Sequence, residues 1–296
     1  MTTVGLLARP NLAEARPVLR QLVDWLRARD VATCVEERTA ALLEAPSAAG
    51  LAVATGREVA ARSDVMVVLG GDGTILRASH LIEKPGLPLI GVNFGSLGFL
   101  TEVALPELPP VLESVLAGRY HYDERGMLRA TLDRGGDSEL VGDVLNDVVV
   151  TKAATISRII ELDVTVDGRF VSAFRADGLI VSTTTGSTAY NLAAGGPILL
   201  PALPAVVLTP ICPHMVSHRP LVVGDQSQIR VRLHSRDAEV HVSLDGQRSV
   251  PLGAEEVVTL TRSPRTLRLV KVPGREYFEV LRSKLKWGES NAPRRS

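Results

Sequence analysis

The chain has 296 residues, and its 33 basic and 33 acidic side chains give a formal net charge of zero at pH 7. A balanced charge provides no long-range attraction for nucleic acid or an anionic membrane, so neither partner is expected. The two cysteines, Cys34 and Cys212, are far apart in sequence and form no disulfide framework or metal-ligand pair, which favours a cytoplasmic location.

The first half of the chain alternates short apolar runs with helical patterns. This alternation is typical of strands joined by crossover helices around a parallel sheet. The run 65–69 is apolar throughout, as expected for a strand buried on both faces. Pro106 is expected to open a further helix. The predicted strands are 4–8, 32–35, 65–69 and 89–92, and the predicted helices are 13–29 and 74–83.

The period of the pattern changes after Tyr122. Apolar and polar residues alternate over 160–166 and again over 240–244, and each run stops at an Asp-Gly pair that favours a hairpin turn. This half therefore predicts antiparallel sheets packed face to face. We expect an α/β domain at 1–122, an all-β sandwich at 123–274, and a tail at 275–296 that contains a helix and could pack back on the first domain.

Gly70-Gly71-Asp72-Gly73 lies where a buried strand meets a helix, which is where open α/β sheets place ligands. Glycines and a helix N-terminus favour phosphate, yet the loop has neither the Walker lysine nor the third glycine of the dinucleotide fingerprint. A carboxylate there repels phosphate unless it accepts a proton from a hydroxyl or holds hydrated Mg²⁺. The alternative is a turn that only connects strand to helix.

Two further segments place polar groups among apolar residues. Asn146-Asp147 interrupts an apolar run, so either a turn exposes the pair or a ligand such as a ribose uses it. A strand led by Asp177 runs into hydroxyl residues and a helix for which Ser187 is one candidate cap. Small residues around Tyr190 on that helix are what a purine binder requires.

Other chemistries are not supported by the sequence. Gly-x-Ser-x-Gly is absent, which argues against an α/β-hydrolase. His214 and His218 are flanked by prolines and have no carboxylate at a zinc-ligand interval, so we expect packing or surface histidines and no metal-ligating cluster.

In combination, the motifs are similar to those of the bacterial NAD kinases, also called ATP-NAD kinases, over nearly the whole chain. Gly-Gly-Asp-Gly alone also occurs in phosphofructokinases and lipid kinases, whereas its combination with Gly-Ser-Thr-Ala-Tyr is specific. The matching segments are 70–73, 93–102, 146–147, 177–183, 186–190, 195–197, 213–214, 245–247 and 284–287.

The resemblance implies a Rossmann-like, phosphofructokinase-like α/β domain followed by a β-sandwich that binds NAD. It implies ATP-dependent phosphorylation of the 2′-hydroxyl on the adenosine ribose of NAD to give NADP, with Asp72 as proton acceptor. Mg²⁺ or another divalent metal is expected to arrive with ATP, and Arg77 is a candidate assistant. A homodimer or homotetramer whose subunits complete each other's NAD sites is also implied. The binding residues implied are Asp72, Gly73, Phe99, Asn146, Asp147, Arg158, Arg175, Asp177, Thr188, Ala189, Tyr190, Asn191, Leu192, Ala193 and Gln247.

The chain departs from the family pattern at three positions. Asp147 stands where the family usually has Glu, so its carboxylate is one methylene shorter. Thr184 replaces a usual Pro, and Ala193 replaces a frequent Ser, with the loss of one hydrogen bond.

Two rival functions are a kinase of the same superfamily that acts on a lipid or sugar phosphate, and a non-catalytic dinucleotide sensor. The segment 188–190 argues against the first and Asp72 against the second.

Overall fold

The structure is a computed structural model that describes residues 2–43, 51–95, 97–153, 159–235 and 239–287. The chain divides into two units. Unit 1 comprises 1–124 and 267–296, and unit 2 comprises 125–266.

The first part of the chain, up to residue 116, contains both helices and strands. Its elements are β1 (Thr3–Ala8), α1 (Ala15–Arg27), β2 (Ala32–Glu36), α2 (Glu37–Ala40), β3 (Ala52–Ala54), α3 (Gly56–Arg62), β4 (Val65–Leu69), α4 (Asp72–Ser79), β5 (Pro88–Asn93), β6 (Val103–Ala104) and α5 (Leu108–Leu116).

The remainder consists mainly of strands. Its elements are β7 (His121–Arg134), β8 (Asp137–Val144), β9 (Asp147–Lys152), β10 (Ile160–Val166), β11 (Arg169–Ala176), β12 (Gly178–Thr183), α6 (Tyr190–Ala193), β13 (Ala205–Ile211), β14 (Leu221–Gly224), β15 (Ile229–Leu233), β16 (Val240–Leu244), β17 (Arg248–Leu252), β18 (Val257–Lys271) and α7 (Tyr277–Leu285).

Unit 1 is built on a parallel sheet in the order β3-β2-β1-β4-β5. The end of β18 continues the sheet beside β5, where Arg268 and Leu269 pair with the strand in parallel. Strand β4 is buried at all five positions, as its unbroken apolar run predicts. The strand order reverses between β1 and β4, so the carboxyl ends of these two strands form the crevice in which such sheets bind ligands.

Unit 2 is a sandwich of two sheets. One has the order β14-β13-β12-β9-β16-β17 with antiparallel neighbours, and the other contains β7, β8, β10, β11, β15 and β18. Apolar residues of both sheets form one buried core. In β15, for example, Ile229, Val231 and Leu233 are buried while the arginines between them are exposed. The predicted α/β fold followed by an antiparallel β fold is confirmed.

Both predicted Asp-Gly hairpin turns are present. Asp167 and Gly168 have φ angles of 50° and 74°, and Asp245 and Gly246 have φ angles of 50° and 63°. These left-handed values are those of the tight turns that match the twist of a hairpin.

Several local predictions differ from the structure. The helix after the loop 70–73 begins at Asp72 and ends at Ser79, short of the predicted end at residue 83, and His80 and Leu81 form a turn after it. Helix α3 was not predicted from the sequence, although Thr55 and Glu58 form the capping box that starts it. Ser187 is not a helix cap. It lies in a 3₁₀ turn, and its hydroxyl donates to the Thr184 carbonyl.

None of the helices among the described residues is long and apolar enough to span a membrane.

Candidate functional site

The loop 70–73, which the sequence predicts to bind phosphate, lies at the crevice between β1 and β4. The amide of Gly70 donates to the Val92 carbonyl of β5 at 2.9 Å, and the amide of Arg9 donates to the Leu69 carbonyl at 2.8 Å. These bonds fix the loop at the carboxyl ends of three neighbouring strands. Gly71 then serves as the residue before α4, so the first amides of that helix lie in the loop.

Asp72 is the first residue of α4, and its carboxylate is held by three donors. One oxygen accepts from the Phe99 amide at 2.9 Å. The other accepts from the Leu100 amide at 3.0 Å and from the Thr101 hydroxyl at 3.2 Å. A carboxylate offers about four acceptor positions, so Asp72 keeps the capacity to accept a further proton donor. The segment after β5 therefore sets the orientation of Asp72.

Phe99 lies beside the carboxylate and also faces the C-terminal helix. Its ring centroid is 6.3 Å from that of Tyr277 in α7. Gly98 packs so closely that an added Cβ would lie 2.1 Å from Asp72 Oδ1. Only glycine therefore leaves room for the carboxylate at this position. Ser96, which lies in the same segment, falls outside the described residues.

Arg77 on α4 is engaged in a buried network. Its guanidinium pairs with the buried Glu36 of β2 and donates to the Ala8 carbonyl at 2.9 Å. The Thr39 hydroxyl donates to the same Glu36 carboxylate at 3.0 Å. Glu36 neutralises the charge of Arg77. Through these bonds Arg77 connects α4 to the ends of β1 and β2.

The backbone of the turn 145–147 in unit 2 is held at every polar group. The amides of Leu145, Asn146 and Asp147 all donate to the Asp245 carboxylate, at 2.8, 2.7 and 3.0 Å. The Leu145 carbonyl accepts from the Thr183 hydroxyl at 2.6 Å, and the Asn146 carbonyl accepts from the Thr183 amide at 2.8 Å. The Asp147 carbonyl accepts from the Asp245 amide at 3.0 Å. We call this arrangement the turn clamp.

The side chains of the turn, in contrast, have unused polar capacity. Asn146 Oδ1 is buried and has no hydrogen-bond partner among the described residues. Asp147 is 5% exposed. Burial, with a smaller contribution from the Asp245 charge, raises the pKa of Asp147 to about 7. An unsatisfied buried oxygen is costly, so Asn146 Oδ1 is expected to have a partner outside these contacts.

Protonation of Asp147 makes stability depend on pH. The folded pKa of about 7 lies above the ordinary 3.8, so between these values the folded protein binds a proton that the unfolded chain does not. The free energy of unfolding therefore falls as pH rises through this window. We expect Asp147→Asn to gain about 2 to 3 kcal/mol relative to wild type between pH 5 and pH 8, measured by urea unfolding. The reference is the difference in free energy of unfolding between the two proteins at pH 5, where residue 147 is largely uncharged in both folded proteins. A difference that does not change with pH would contradict the prediction.

The segment after β12 packs against the same turn. A Cβ at Gly186 would lie 2.2 Å from the Asn146 carbonyl oxygen, so the two backbones are in close contact. Asn191 is fully buried, and its amide donates to the Ser187 and Pro197 carbonyls at 2.9 and 3.0 Å while its oxygen accepts from Thr209 at 2.6 Å. The Asn191 side chain therefore holds the backbone of this segment in place through its hydrogen bonds. Tyr190 is 47% exposed, and Thr188, Ala189 and Leu192 are partly exposed, while Ala193 is exposed.

The remaining predicted residues are not all brought together. Gln247 is exposed on the turn that contains Asp245. Arg175 and Asp177 lie at the opposite end of the paired strands β9 and β12, about 17 Å from Asp147 by strand length. Arg175 is exposed, and Asp177 forms an ion pair of 2.7 Å with Lys152. Arg158 lies outside the described residues.

Two residues that contribute to these sites were not predicted from the sequence. Asp245 is predicted there only as a turn residue, yet it is 7% exposed and binds three amides. Thr101 is fully buried and contacts Asp72. The hairpin signal at Asp245 gave no sign of burial, since an Asp-Gly turn is ordinarily solvent-exposed.

The histidines examined in the sequence do not form a metal cluster. His218 packs on Phe174 with ring centroids 4.9 Å apart and contacts the Ser172 hydroxyl, while His214 is exposed. Within the described ranges, no group of three or more His, Cys, Asp or Glu side chains could hold a metal ion.

Comparison with known proteins identifies the family. The model of the ATP-NAD kinase N-terminal domain matches residues 4–120, and the model of the ATP-NAD kinase C-terminal domain matches residues 145–272. The NAD kinase of Citrifermentans bemidjiense is 44% identical over 290 residues, which cover 98% of this chain and 100% of the relative. That of Solibacter usitatus is 42% identical over 287 residues, covering 97% and 98% of the two chains.

Solved structures agree with this result. The crystal structure of yeast NADH kinase complexed with NADH has a TM-score of 0.88 and 25% identity, covering 100% of this chain and 90% of the yeast chain. An NAD kinase from Archaeoglobus fulgidus in complex with ATP has a TM-score of 0.74 and 24% identity, covering 95% and 99%, and supports the fold. Neither rival function is favoured by these matches. The chain belongs to the ATP-NAD kinase family, whose reaction is the ATP-dependent phosphorylation of the 2′-hydroxyl on the adenosine ribose of NAD to give NADP.

Proposed function

We propose that Asp72 is the general base of this reaction and takes the proton from the 2′-hydroxyl as the phosphoryl group is transferred. The observation that carries the proposal is the position of its carboxylate, held by two backbone amides and one hydroxyl at the start of α4. Fixed orientation of a base toward its hydroxyl is what phosphoryl transfer requires, since the protein contributes mainly alignment and charge stabilisation. The amides of the loop that contains Gly73 bind phosphate groups.

The turn 145–147 holds ribose hydroxyls of NAD. The buried, unpaired Asn146 Oδ1 and the Asp147 carboxyl are acceptors suited to sugar hydroxyls. Asp147 is one methylene shorter than the usual Glu, so its carboxyl group reaches less far from its strand.

The purine contacts belong to the segment after β12. The partly exposed side chains there, with the aromatic ring of Tyr190, form a surface of small groups around one ring. Asn191 acts from beneath by fixing the segment. The residues assigned to this surface are Thr188, Ala189, Tyr190, Leu192 and Ala193, with Gln247 as a polar contact.

A divalent metal such as Mg²⁺ fits this loop as a companion of ATP. The loop 70–73 has a carboxylate as its only charged side chain, and Glu36 already neutralises Arg77. Asp72 is the residue of the loop that would face the metal. Mg²⁺ bound to ATP would supply the positive charge that stabilises the transferring phosphoryl group. Arg77 then contributes by holding α4 in place.

The direct test of the proposed reaction is product formation by the purified protein. With NAD, ATP and Mg²⁺ we expect NADP, measured by an NADP-specific dehydrogenase. A parallel assay with 2′-deoxy-NAD on the adenosine side is expected to give no phosphorylated product, because the acceptor hydroxyl is missing. Absence of NADP from the first assay, or product from the second, would contradict the proposal.

A homodimer or homotetramer explains why the predicted NAD contacts fall at both ends of β9. A second copy supplies Arg175 and Asp177 to the NAD bound at the first copy's turn. Strand β14 is an edge strand on which Leu221 and Val222 are 37% and 45% exposed, as expected for a strand covered by a neighbour. We expect Val222→Lys to reduce the mass measured by light scattering and to raise the KM for NAD. A wild-type monomer would contradict this arrangement.

The cysteines support a cytoplasmic location, since Cys34 and Cys212 are both free thiols.

A further inference from the structure

We infer that Asp245 is a positioning residue for NAD, because its turn clamp holds Asn146 and Asp147 in the orientation in which they accept substrate hydroxyls. This inference rests on the proposed role of those two side chains.

The contacts of Asp245 are specific for a carboxylate. Both of its oxygens accept from amides, and one of them accepts from two. Three successive backbone amides that converge on one group form an anion-binding nest. An asparagine in the same place would turn its NH₂ group toward one of these donors, so it would lose a hydrogen bond and introduce repulsion.

Turn formation alone does not explain these contacts. Asp167 occupies the same position of the other Asp-Gly turn, with the same φ of 50°. Its carboxylate accepts from the Gln228 amide at 2.8 Å and from the Ser227 hydroxyl at 3.0 Å, and the residue is exposed. Asp167 therefore completes a hairpin locally, whereas Asp245 reaches across about 100 positions of sequence to residues 145–147.

The negative charge of Asp245 is electrostatically unfavourable next to Asp147. Among the groups around Asp147, the opposed strand residue Ser182 and the neighbouring Leu244 are uncharged, so Asp245 is the charged group that acts on it. Its negative charge contributes to the raised pKa of Asp147. A neutral turn residue would avoid that repulsion, which argues that the three amide bonds are what the position requires.

The test compares Asp245→Asn with Asp167→Asn in the full-length protein, using NAD, ATP and Mg²⁺ as substrates. For Asp245→Asn we expect kcat/KM for NAD to fall by about 100-fold, mainly through KM, because misplacement of binding groups by about 1 Å has effects of this size. The KM for ATP is expected to change less than about threefold. For Asp167→Asn, a surface substitution, we expect all constants to stay within about twofold.

The pH profile separates positioning from a general loss of structure. Without the Asp245 charge the pKa of Asp147 falls, so the acid limb of kcat/KM for NAD is expected to move to lower pH in Asp245→Asn. Thr183→Val removes a hydrogen bond from the carbonyl side of the same turn without changing charge. It is expected to raise the KM for NAD and leave the limb in place.

Three results would overturn the inference. The first is an Asp245→Asn variant with the same kinetic constants as Asp167→Asn. The second is an Asp245→Asn variant that loses ATP and NAD binding equally and whose acid limb does not move. The third applies if Asp245→Asn does not fold, and it is a Thr183→Val variant with an unchanged KM for NAD. An inactive wild-type protein would instead refute the proposed function, which separates the two failures.

Discussion

Asp72→Asn is expected to lower kcat by about 10²- to 10⁴-fold, the usual contribution of a general base. The amide cannot accept the hydroxyl proton, and one of the two backbone amides that bind Asp72 loses its acceptor. Dissociation constants for NAD and ATP are expected to stay within a few-fold, because the loop amides and the turn 145–147 are unchanged. Steady-state NADP formation and calorimetric binding measure the two effects separately.

Thr101→Val is the matched control for this variant. It removes the hydroxyl that donates to Asp72 at 3.2 Å and leaves the carboxylate and both amide bonds in place. We expect it to keep kcat within about tenfold of wild type, since one hydrogen bond contributes about 1.5 to 3 kcal/mol at most when the acceptor is charged and less when others remain. An Asp72→Asn variant with more than a tenth of the wild-type kcat would remove Asp72 as the base.

Gly98→Ala is expected to lower kcat by about 100-fold, because the new methyl group crowds Asp72 although no proposed catalytic or binding residue is replaced. The new methyl group would lie 2.1 Å from Asp72 Oδ1 and 2.3 Å from the Thr101 hydroxyl. The carboxylate cannot turn aside without breaking its bonds to the Phe99 and Leu100 amides. A base displaced by about 1 Å loses its alignment with the hydroxyl, which accounts for the size of the effect.

Gly95→Ala in the same loop provides the control for Gly98→Ala. No heavy atom lies within 4 Å of a Cβ added there, and the residue is exposed. We expect its kcat to remain within about twofold of wild type, with unchanged circular dichroism for both variants. Equal kcat values for the two alanine variants would show that Gly98 does not constrain Asp72.

The patterns that depend on local chemistry were predictable from the sequence. The buried strand 65–69 and the two Asp-Gly turns follow from apolar periodicity and from residues that tolerate a left-handed conformation. The position of Asp72 near the carboxyl end of β4 likewise followed from the sequence, because it comes two glycines after the apolar run 65–69. Helix ends were predicted less well, since α4 begins at Asp72 and ends at Ser79 where the sequence predicted 74–83.

Contacts between distant segments were not predictable in this way. Asp245 and Asp167 each follow a run of alternating apolar and polar residues and precede a glycine. The Asp245 carboxylate is nevertheless buried against residues 145–147, whereas the Asp167 carboxylate lies on the surface. Arg77 of α4 pairs through its guanidinium with Glu36 of β2, a contact that the sequence pattern of neither element predicts. In each case the decisive partner comes from a part of the chain that periodicity does not connect to it.

The sequence by itself determined the α/β and all-β parts of this protein, the position of the loop 70–73 at the end of a buried strand, and the resemblance to the family to which it belongs. Only the tertiary structure decided what each polar side chain does, by bringing the amides of Phe99 and Leu100 to Asp72 and the turn 145–147 to Asp245. The physical reason is that a hydrogen bond depends on the distance between its atoms, and residues far apart in sequence come within that distance only when the sheets have formed.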